Sequence, residues 1–500
     1  MRRLVTQRYL ILAMTVLATT LFTATMLVAS TLLPQMQGSM LATQDEIAWT
    51  MTFNILATAV MTPMAGWLAA RFGRRSVMVW CSLGFTAATF MCGASGSLEE
   101  LVFWRILQGG IGAPLVPLSQ TILLDTFPPE QHGMVISIYG MSAVIGPVIG
   151  PALGGLLSET YSWRWAFYMM VLPGLIVSLG LRLTLPPDLE ERPAPFDWFG
   201  FLSLSTAIAS LQLALSRGQR LDWFQSTEII IEVLVSVLAL YVFVVHSMTA
   251  RAPFLSPRLV RDRNFLLGIV LVWVYGMLNF TPIVLLPALL QQHAGFPDTL
   301  LGEMTSWRGV GSLAGFFVAG MIGRLDPRIG MTLGFGLQVV SGLWLMSIDL
   351  NVSETILAFN SLLQGLAVGI IWVPLTVATF ATLDASLRPE GTAVYHLMRN
   401  VGSSFFISLS VAEIVRSTGV NYARLVELVS PYNRTLAMPW ALGQWDVETA
   451  AGLAKLSKEI TRQSAMIGYL NAFGMYTAMS ALAVPLILLV RRARQPVTQN

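Results

Sequence analysis

The stretch Phe103-Trp104-Arg105-Ile106-Leu107-Gln108-Gly109-Gly110 places one arginine inside an apolar run. A charge at bilayer depth is costly, so an intramembrane arginine normally faces the protein interior or a water-filled cavity. Gln108 follows Arg105 by three residues, and residues at this spacing share one helix face. The stretch therefore predicts a membrane-spanning helix whose polar face lines a central cavity. The alternative is an arginine that reaches the outer lipid headgroups.

A second stretch, further along the chain, carries small residues at helical spacing. Gly146-Pro147, Gly150-Pro151 and Gly154-Gly155 follow one another at intervals of four residues. Glycines four apart lie on one helix face and allow a neighbouring backbone to approach closely. A proline frees a backbone carbonyl and permits bending. The pattern predicts a close helix contact or a hinge, and together with the buried arginine it indicates a transporter.

The composition is that of a polytopic membrane protein. The 500-residue chain is 55% hydrophobic and 11% charged, with a mean hydropathy of +0.66, whereas soluble domains carry roughly 25% charged residues. Cys81 and Cys92 share one apolar segment and the four histidines are scattered, so we expect no metal site. The chain has no Gly-x-x-x-x-Gly-Lys loop and no nucleophile motif. We therefore expect neither an ATP-driven pump nor an enzyme, with no bound cofactor and no nucleic-acid partner.

Apolar stretches of about 20 residues predict membrane-spanning helices, and the chain contains roughly fourteen by this criterion. They begin near residues 10, 47, 77, 99, 133, 164, 197, 227, 265, 299, 329, 353, 391 and 466. Arginines occupy alternate connections and both ends of the chain, whereas the opposite loops carry acids. Cytoplasmic loops are the positively charged ones. Both termini are therefore expected in the cytoplasm, beneath a bacterial inner membrane.

The two halves of the chain carry an internal repeat. Gln108-Gly109 in span four is echoed by Gln364-Gly365 in span twelve. Gly66–Arg75, after span two, is echoed more loosely by Gly320–Arg328, after span ten. The equivalent helices lie eight spans apart, although two duplicated six-helix halves would place them six apart. Two helices are therefore expected to be inserted between the halves.

The repeat predicts three parts of the chain. Residues 1–190 form a first six-helix bundle, residues 191–250 the two inserted helices, and residues 251–500 a second six-helix bundle. The second bundle carries one long external loop, residues 417–463. The loop contains a helix-like run from Asp446 to Ile460, which is either a solvated amphipathic helix or a contact surface for a periplasmic partner.

Several stretches resemble the major facilitator superfamily, specifically its fourteen-span drug:proton antiporter family of the EmrB/QacA type. The cytoplasmic loop motif, the fourth-span motif, the fifth-span antiporter motif and the start of the inserted pair correspond to Gly66-Trp67-Leu68-Ala69-Ala70-Arg71-Phe72-Gly73-Arg74-Arg75, Arg105-Ile106-Leu107-Gln108-Gly109, Gly146-Pro147 through Gly155, and Asp197-Trp198-Phe199-Gly200. Ser306-Trp307-Arg308-Gly309 and Arg399-Asn400-Val401-Gly402 resemble the same family. The resemblance covers nearly the whole chain.

The resemblance implies an all-α polytopic membrane protein with the major facilitator fold. It implies export of drugs or other amphipathic toxic small molecules by alternating access, driven by proton influx instead of a cofactor. It leaves open whether a periplasmic membrane-fusion adaptor and an outer-membrane channel take part. The residues that it implicates in gating or packing are Gly66, Arg71, Gly73, Arg74, Gly146, Pro147, Gly150, Pro151 and Gly154.

Two positions depart from the family pattern. Ala70 stands where the loop motif often carries an acid, and Thr25 or a neighbour stands where many relatives carry an aspartate in span one. The first departure weakens a charge-relay account of gating. The second removes the usual candidate for the proton-coupling carboxylate.

Charges in the second half supply further transport or coupling candidates. Glu303 and Arg308 in span ten, and His396 and Arg399 in span thirteen, are expected to be buried by their sequence position. Each could be structural, or each could bind substrate or couple transport to protons, as could Arg105 and Gln108. Glu303 is the best remaining proton carrier, because burial favours the protonated carboxyl group. Arg105 is expected to keep a nearby acid ionised.

Two alternatives to multidrug efflux remain open at this point. The first is a dedicated exporter of one metabolite or siderophore, which a growth test on diverse drugs would distinguish. The second, more distant, is a lipid flippase, which a lipid-scrambling assay would test.

Overall fold

The computed structural model describes residues 2–187, 195–322, 326–430, 432–436, 438–442, 445–447 and 449–491. These residues form helices and connections, with no β-strand among them. The α-helices are α1 (Arg2–Met40), α2 (Gln44–Met61), α3 (Met64–Phe72), α4 (Arg74–Ala94), α5 (Leu98–Gly112), α6 (Leu115–Thr126), α7 (His132–Thr160), α8 (Trp163–Tyr168), α9 (Val171–Thr184), α10 (Trp198–Arg217), α11 (Thr227–Thr249), α12 (Arg258–Arg261), α13 (Arg263–Leu289), α14 (Asp298–Ile322), α15 (Pro327–Met346), α16 (Glu354–Phe380), α17 (Arg388–Val426), α18 (Pro439–Leu442) and α19 (Ala450–Ile487).

The helices follow the predicted spans closely. Twelve of the fourteen predicted starts lie within three residues of the first residue of a helix. In the described part of the chain, ten helices are long and apolar enough to cross a membrane. The pair α2 and α3, bent by 57°, makes an eleventh, and its bend lies at Pro63, which lacks a backbone donor. The helices α7, α14 and α17, of 29, 25 and 39 residues, are further long helices.

The helices assemble into two groups that meet along shared faces. In the first group α1 packs on α7, α2 on α5, and α4 on α5 and α9. In the second, α14 packs on α16, α13 on α17, and α15 on α16 and α19. The groups touch where α7 packs on α14 and where α6 packs on α17. The pair α10 and α11 packs together, and α10 contacts both α2 and α17, one helix from each group.

The segment predicted to be external, residues 417–463, is helical at both ends. Helix α17 continues to Val426 and α19 begins at Ala450. The apolar run fixes only the part of a helix that lies in the membrane. Thr449 accepts a hydrogen bond from the Gly452 amide and caps α19 in the polar part of the sequence.

Candidate functional site

Arg105 lies inside the first helix group and contacts three helices. Its side chain is 1% exposed. The guanidinium donates hydrogen bonds to the Thr25 carbonyl of α1 at 3.3 Å, the Thr50 carbonyl of α2 at 3.3 Å, and Gln108 Oε1 at 2.5 Å. Gln108 in turn donates to Thr89 Oγ1 at 2.8 Å. Arg105 thus points inward, so the alternative in which it reaches the outer headgroups does not apply.

The acceptors around Arg105 are neutral. Its hydrogen-bond partners are backbone carbonyls, an amide oxygen and the Met51 sulfur at 3.7 Å. Among the residues with described contacts, no carboxylate lies against it. The expectation that Arg105 keeps a neighbouring acid ionised therefore lacks the acid in this structure. The side chain joins α1, α2 and α5 instead.

Arg308 makes a similar set of contacts in the second helix group. Its side chain is 8% exposed. The guanidinium donates to Gln364 Oε1 of α16 and to the Asn279 carbonyl of α13, the latter at 2.6 Å. Gln364 donates to Asn360 Oδ1 at 2.6 Å. Arg308 is buried, as its sequence position predicts, and is held by neutral acceptors like those of Arg105.

The internal repeat makes Asn54 of α2 and Arg308 of α14 equivalent positions. Asn54 lies twelve residues before Gly66, and Arg308 lies twelve residues before Gly320. Asn54 Nδ2 donates to the Arg105 carbonyl at 2.7 Å. Each group thus has one buried guanidinium bonded to its repeat glutamine and to a carbonyl of its first long helix, but the two arginines come from non-equivalent helices.

The glycine that follows each repeat glutamine explains why Asn54 and Arg308 occupy equivalent places. A Cβ atom on Gly109 would meet the Asn54 carbonyl, and one on Gly365 would meet the Arg308 carbonyl. The glycine lets the two helix backbones touch at the same place in both groups. Apolar periodicity predicts neither this helix contact nor the hydrogen bond of Asn54. Both become apparent when the two repeats are compared in the structure.

His396 and Arg399 lie where the two helix groups meet. His396 is 2% exposed, and its Nε2 lies 2.6 Å from Gln120 Oε1 of α6, in the first group. Arg399 lies over the Trp372 ring at 5.5 Å. Its side-chain hydrogen bonds go to Asn400 Oδ1, at 3.3 and 3.4 Å. His396 is buried as expected, and Arg399 is only partly exposed.

Glu303 is not buried, contrary to the expectation from its sequence position. Its side chain is exposed in the second turn of α14, near the external end, and accepts a hydrogen bond from Trp307 Nε1 at 3.4 Å. Hydropathy places a residue along a helix but does not fix which way the helix face points. The burial that made Glu303 the preferred proton carrier is therefore absent.

The cytoplasmic loop motif joins α3 to α4. Gly73 has φ of +83°, in the left-handed region that favours glycine, and its amide donates to the Ala69 carbonyl at 3.0 Å. A Cβ atom on Gly66 would lie 3.0 Å from the Glu390 Cα of α17. Arg71 is exposed in the last turn of α3. The motif thus forms a tight turn whose preceding helix contacts the other helix group.

A carboxylate that lies outside the cytoplasmic loop motif forms an ion pair with an arginine of that motif. Asp125, at the end of α6, lies 2.5 Å from Arg74 and 2.6 Å from Arg388 of the second group. Sequence reasoning noted the missing acid at Ala70 but not this replacement. Its signal was an acid at the cytoplasmic end of span four, opposite arginine-rich loops. Asp125 joins the two groups at the end of the molecule that carries Arg74 and Arg388.

Other contacts between the groups lie in the same half of the molecule. Thr121 Oγ1 and Thr392 Oγ1 are 2.7 Å apart, and Ser137 donates to the Phe316 carbonyl. Each of these residues lies within three turns of the helix end at which Asp125 pairs with the arginines. With the Asp125 ion pairs, they form what we call the cytoplasmic closure, because arginine-rich loops are expected in the cytoplasm. The structure therefore describes a state closed at this end.

The glycines of α7 form one seam against α1. Cβ atoms on Gly146, Gly150 and Gly154 would meet Thr23, Ala24 and Val28, respectively. The nearest atom to a Cβ on Gly150 is the Ala24 carbonyl oxygen, at 2.6 Å. Helix α7 runs unbroken through Pro147, and the side chain of Pro151 lies outside the described part of the structure. The seam is the close helix contact that the spacing predicts.

Comparisons with known proteins agree with this architecture. The family model described as Major Facilitator Superfamily matches residues 14–409. The multidrug export protein EmrB of Haemophilus influenzae is 30% identical over 465 residues, covering 92% of this chain and 91% of that protein. The Escherichia coli protein of the same name is 30% identical over 470 residues, with the same coverage.

Solved structures show the same fold at low sequence identity. The proton:xylose symporter XylE superposes with a TM-score of 0.62 at 14% identity, covering 97% of this chain and 95% of that one. The human organic anion transporter MFSD10 gives 0.61 at 16% identity, covering 97% and 99%. The helix order, the internal repeat and these matches lead to one conclusion. The chain belongs to the major facilitator superfamily, in its drug:proton antiporter family of the EmrB type.

Proposed function

We propose that the protein is a proton-coupled secondary active exporter of drugs or other amphipathic toxic small molecules, working by alternating access. The observation that carries the proposal is 30% identity over nearly the whole length to two proteins named as multidrug exporters. The buried polar sites support it, because intramembrane charged groups commonly belong to transport pathways. The proton gradient takes the place of a cofactor.

The two helix groups are the moving parts in this proposal. Residues 1–190 and 251–500 form the two bundles, and residues 191–250 the inserted pair. The contact of α10 with a helix of each bundle supports its assignment as an insert. The cytoplasmic closure would break when the cavity opens inward, and the Gly146–Gly154 seam would keep α1 and α7 together as one body. Both termini would lie in the cytoplasm.

Within this proposal the transport residues have different tasks. The pairs Arg105–Gln108 and Arg308–Gln364 hold the helices of each bundle together through buried hydrogen bonds. His396 is the better-placed coupling group, because it is buried and bridges the two bundles. Glu303 would then act at the external entrance. A periplasmic adaptor and an outer-membrane channel remain proposed partners of the external segment.

Inside-out membrane vesicles test the proposal. Respiration acidifies their lumen, so an antiporter should accumulate substrate inside and release protons when substrate is added. We expect both signals for several chemically diverse compounds and neither in vesicles lacking the protein or treated with an uncoupler. Uptake of a single metabolite would favour the dedicated exporter, and lipid scrambling without uptake the flippase. No gradient-dependent movement of any compound would contradict the proposal.

A further inference from the structure

The buried interior of the described chain is positively charged. Among its buried residues are Arg105 and Arg308, but no aspartate and no glutamate. Arg399 adds a third guanidinium close to the middle of the membrane: it lies eleven residues into α17, about 16 Å along the helix. At low dielectric, a cation that enters such a region meets strong repulsion and an anion strong attraction. Such an interior favours anions over cations.

Arg399 differs from the other two arginines. Arg105 and Arg308 are occupied by acceptors from several helices and are at most 8% exposed. Arg399 is partly exposed, and its side-chain hydrogen bonds are two long ones to the adjoining Asn400. A guanidinium has five N–H donors. Arg399 thus retains donor capacity that the other two arginines have spent.

Two further donors without described partners lie near Arg399. Gln120 Nε2 and Trp372 Nε1 are buried and have no described hydrogen-bond partner. The His396 side chain lies between these two residues, because its ring lies 5.9 Å from that of Trp372 and its Nε2 contacts Gln120. All three side chains are at most 2% exposed. Buried donors are nearly always satisfied, so unsatisfied donors converging from both bundles indicate a ligand that supplies acceptors.

Aromatic side chains complete the surroundings. Tyr275 of α13 and Tyr395 of α17 pack on the Trp372 ring that lies beside Arg399, with ring centroids 5.2 and 5.5 Å from it. Flat apolar rings beside a cation suit a molecule with an apolar body and an acidic head.

We propose that Arg399, Trp372 and Gln120 bind the acidic head group of the exported substrate, so the protein transports amphipathic carboxylates in preference to cations. This inference rests on the proposed function and specifies its substrate class. The Arg399 guanidinium binds the carboxylate, the amide and indole N–H groups donate to its remaining oxygen lone pairs, and the tyrosine rings contact the apolar body. A lipophilic cation finds no buried acid and three guanidinium groups.

Three probes that differ only in the head group test the inference: 4-phenylbutanoate, its primary amide and 4-phenylbutylammonium. Binding to the purified full-length protein in nanodiscs is measured by calorimetry. We expect wild type to bind the carboxylate at least about tenfold more tightly than the amide, as befits a charge-assisted hydrogen bond. The ammonium compound should bind most weakly.

Variants distinguish a binding role from a structural one. In Arg399→Gln the carboxylate-to-amide ratio should fall to about one, with amide binding retained. Trp372→Phe keeps an aromatic side chain but removes the indole N–H, and it should lower the carboxylate-to-amide ratio several-fold. This variant tests the inference independently should Arg399→Gln fail to fold. Arg416→Gln, on the same helix with a side chain 81% exposed, should leave the ratio unchanged.

Two outcomes overturn the inference: a wild-type ratio near one, or a ratio that survives both Arg399→Gln and Trp372→Phe. Vesicle transport of the wider panel keeps the two proposals apart. Movement of diverse compounds with no preference for the carboxylate would remove this inference alone. Failure to move any compound would remove the proposed function.

Discussion

Single arginine side chains hold together the two bundle interiors. Arg105 connects carbonyl groups of α1 and α2 to the amide of Gln108 on α5. A planar guanidinium can bond in several directions at once, whereas a lysine ammonium on a flexible stem cannot reproduce that geometry. The contacts are charge-assisted and desolvated, so the bonding geometry matters as much as the charge.

At this scale we expect Arg105→Lys to insert normally but to retain only part of the transport activity, and Arg105→Ala to lose it. Each lost hydrogen bond to the guanidinium should lower the free energy of unfolding by about 1.5–3 kcal/mol. Efflux in intact cells and thermal unfolding in detergent, at equal expression, measure both effects. Wild-type transport of several substrates by Arg105→Ala would show that Arg105 has no part in transport.

Glu303 supports a second residue-scale prediction, opposite in sense to the one made from its sequence position. Its side chain is exposed and contacts Trp307, so it lacks the burial that would favour proton binding. We expect Glu303→Gln to leave proton-driven uptake into inside-out vesicles within about twofold of wild type. His396→Gln, measured alongside, should lose coupling. Loss of uptake in Glu303→Gln would restore the carboxyl group as the proton carrier.

At the scale of elements, the contact between α1 and α7 depends on glycine. A side chain at Gly150 would meet the Ala24 carbonyl at 2.6 Å from its first carbon, and a backbone carbonyl cannot move aside. We expect Gly150→Leu to insert yet lose transport and to unfold at a lower temperature, since overpacking costs about 1–3 kcal/mol.

The same helix supplies the matched control for Gly150→Leu. A Cβ atom on Gly155 meets nothing within 4 Å, so Gly155→Leu should leave transport and thermal unfolding close to wild type. Equal behaviour of the two variants would mean that the contact between α1 and α7 has no special role.

The cytoplasmic closure operates at the scale of the whole molecule. Asp125 neutralises Arg74 of its own bundle and Arg388 of the other. Partly exposed ion pairs are worth up to about 1 kcal/mol each, and a shift of that size changes a two-state population about fivefold. Removing the Asp125 charge should therefore favour the cytoplasm-open state without unfolding either bundle.

We expect Asp125→Asn to raise the cytoplasm-open population about fivefold. Spin labels at the exposed cytoplasmic positions Gln131 and Arg261 report the separation of the bundles by electron double resonance. Asp349→Asn, at an exposed external turn, is the control with the same chemical change. An unchanged distance distribution in Asp125→Asn would remove these ion pairs from the gating account.

A pH dependence of the closure follows from Glu390. It lies in the first turn of α17, just before the predicted start of the membrane-spanning part, and its carboxylate accepts a hydrogen bond from the Ser256 amide. Burial raises the pKa of Glu390 from its ordinary 4.5 to about 7, and the Ser256 hydrogen bond opposes this rise. Opening the closure to water would restore the ordinary pKa.

The sign of the effect follows from linkage. A carboxyl group with a raised pKa in the closed state favours closure fully below about pH 4.5, and this contribution disappears as the pH rises through about 7. The same spin labels should therefore report more of the closed state at pH 6 than at pH 8. Glu390→Gln should abolish that difference, whereas Glu130→Gln, exposed on the same side, should preserve it. A pH response unchanged in Glu390→Gln would contradict the assignment.

Local pattern determined the elements of this protein. Apolar runs gave the positions of the helices, because the length of a membrane helix follows from bilayer thickness. The three-residue spacing of Arg105 and Gln108 predicted that they share one helix face, since both residues lie on one helix and need no knowledge of the others. The same holds for the glycines of α7, whose spacing predicts a close contact but does not name α1 as the neighbour.

Only the tertiary structure decided which helices meet and which way each one faces. The rotation of α14 about its axis buries Arg308 and exposes Glu303, and hydropathy is nearly indifferent to that rotation because lipid and protein interior are both apolar. The pairing of Asp125 with Arg388, the approach of Gln120 to His396 and the unsatisfied donors around Arg399 all join distant parts of the chain. Such contacts depend on how two bundles dock, and that is a property of their combined surfaces rather than of any one stretch of sequence.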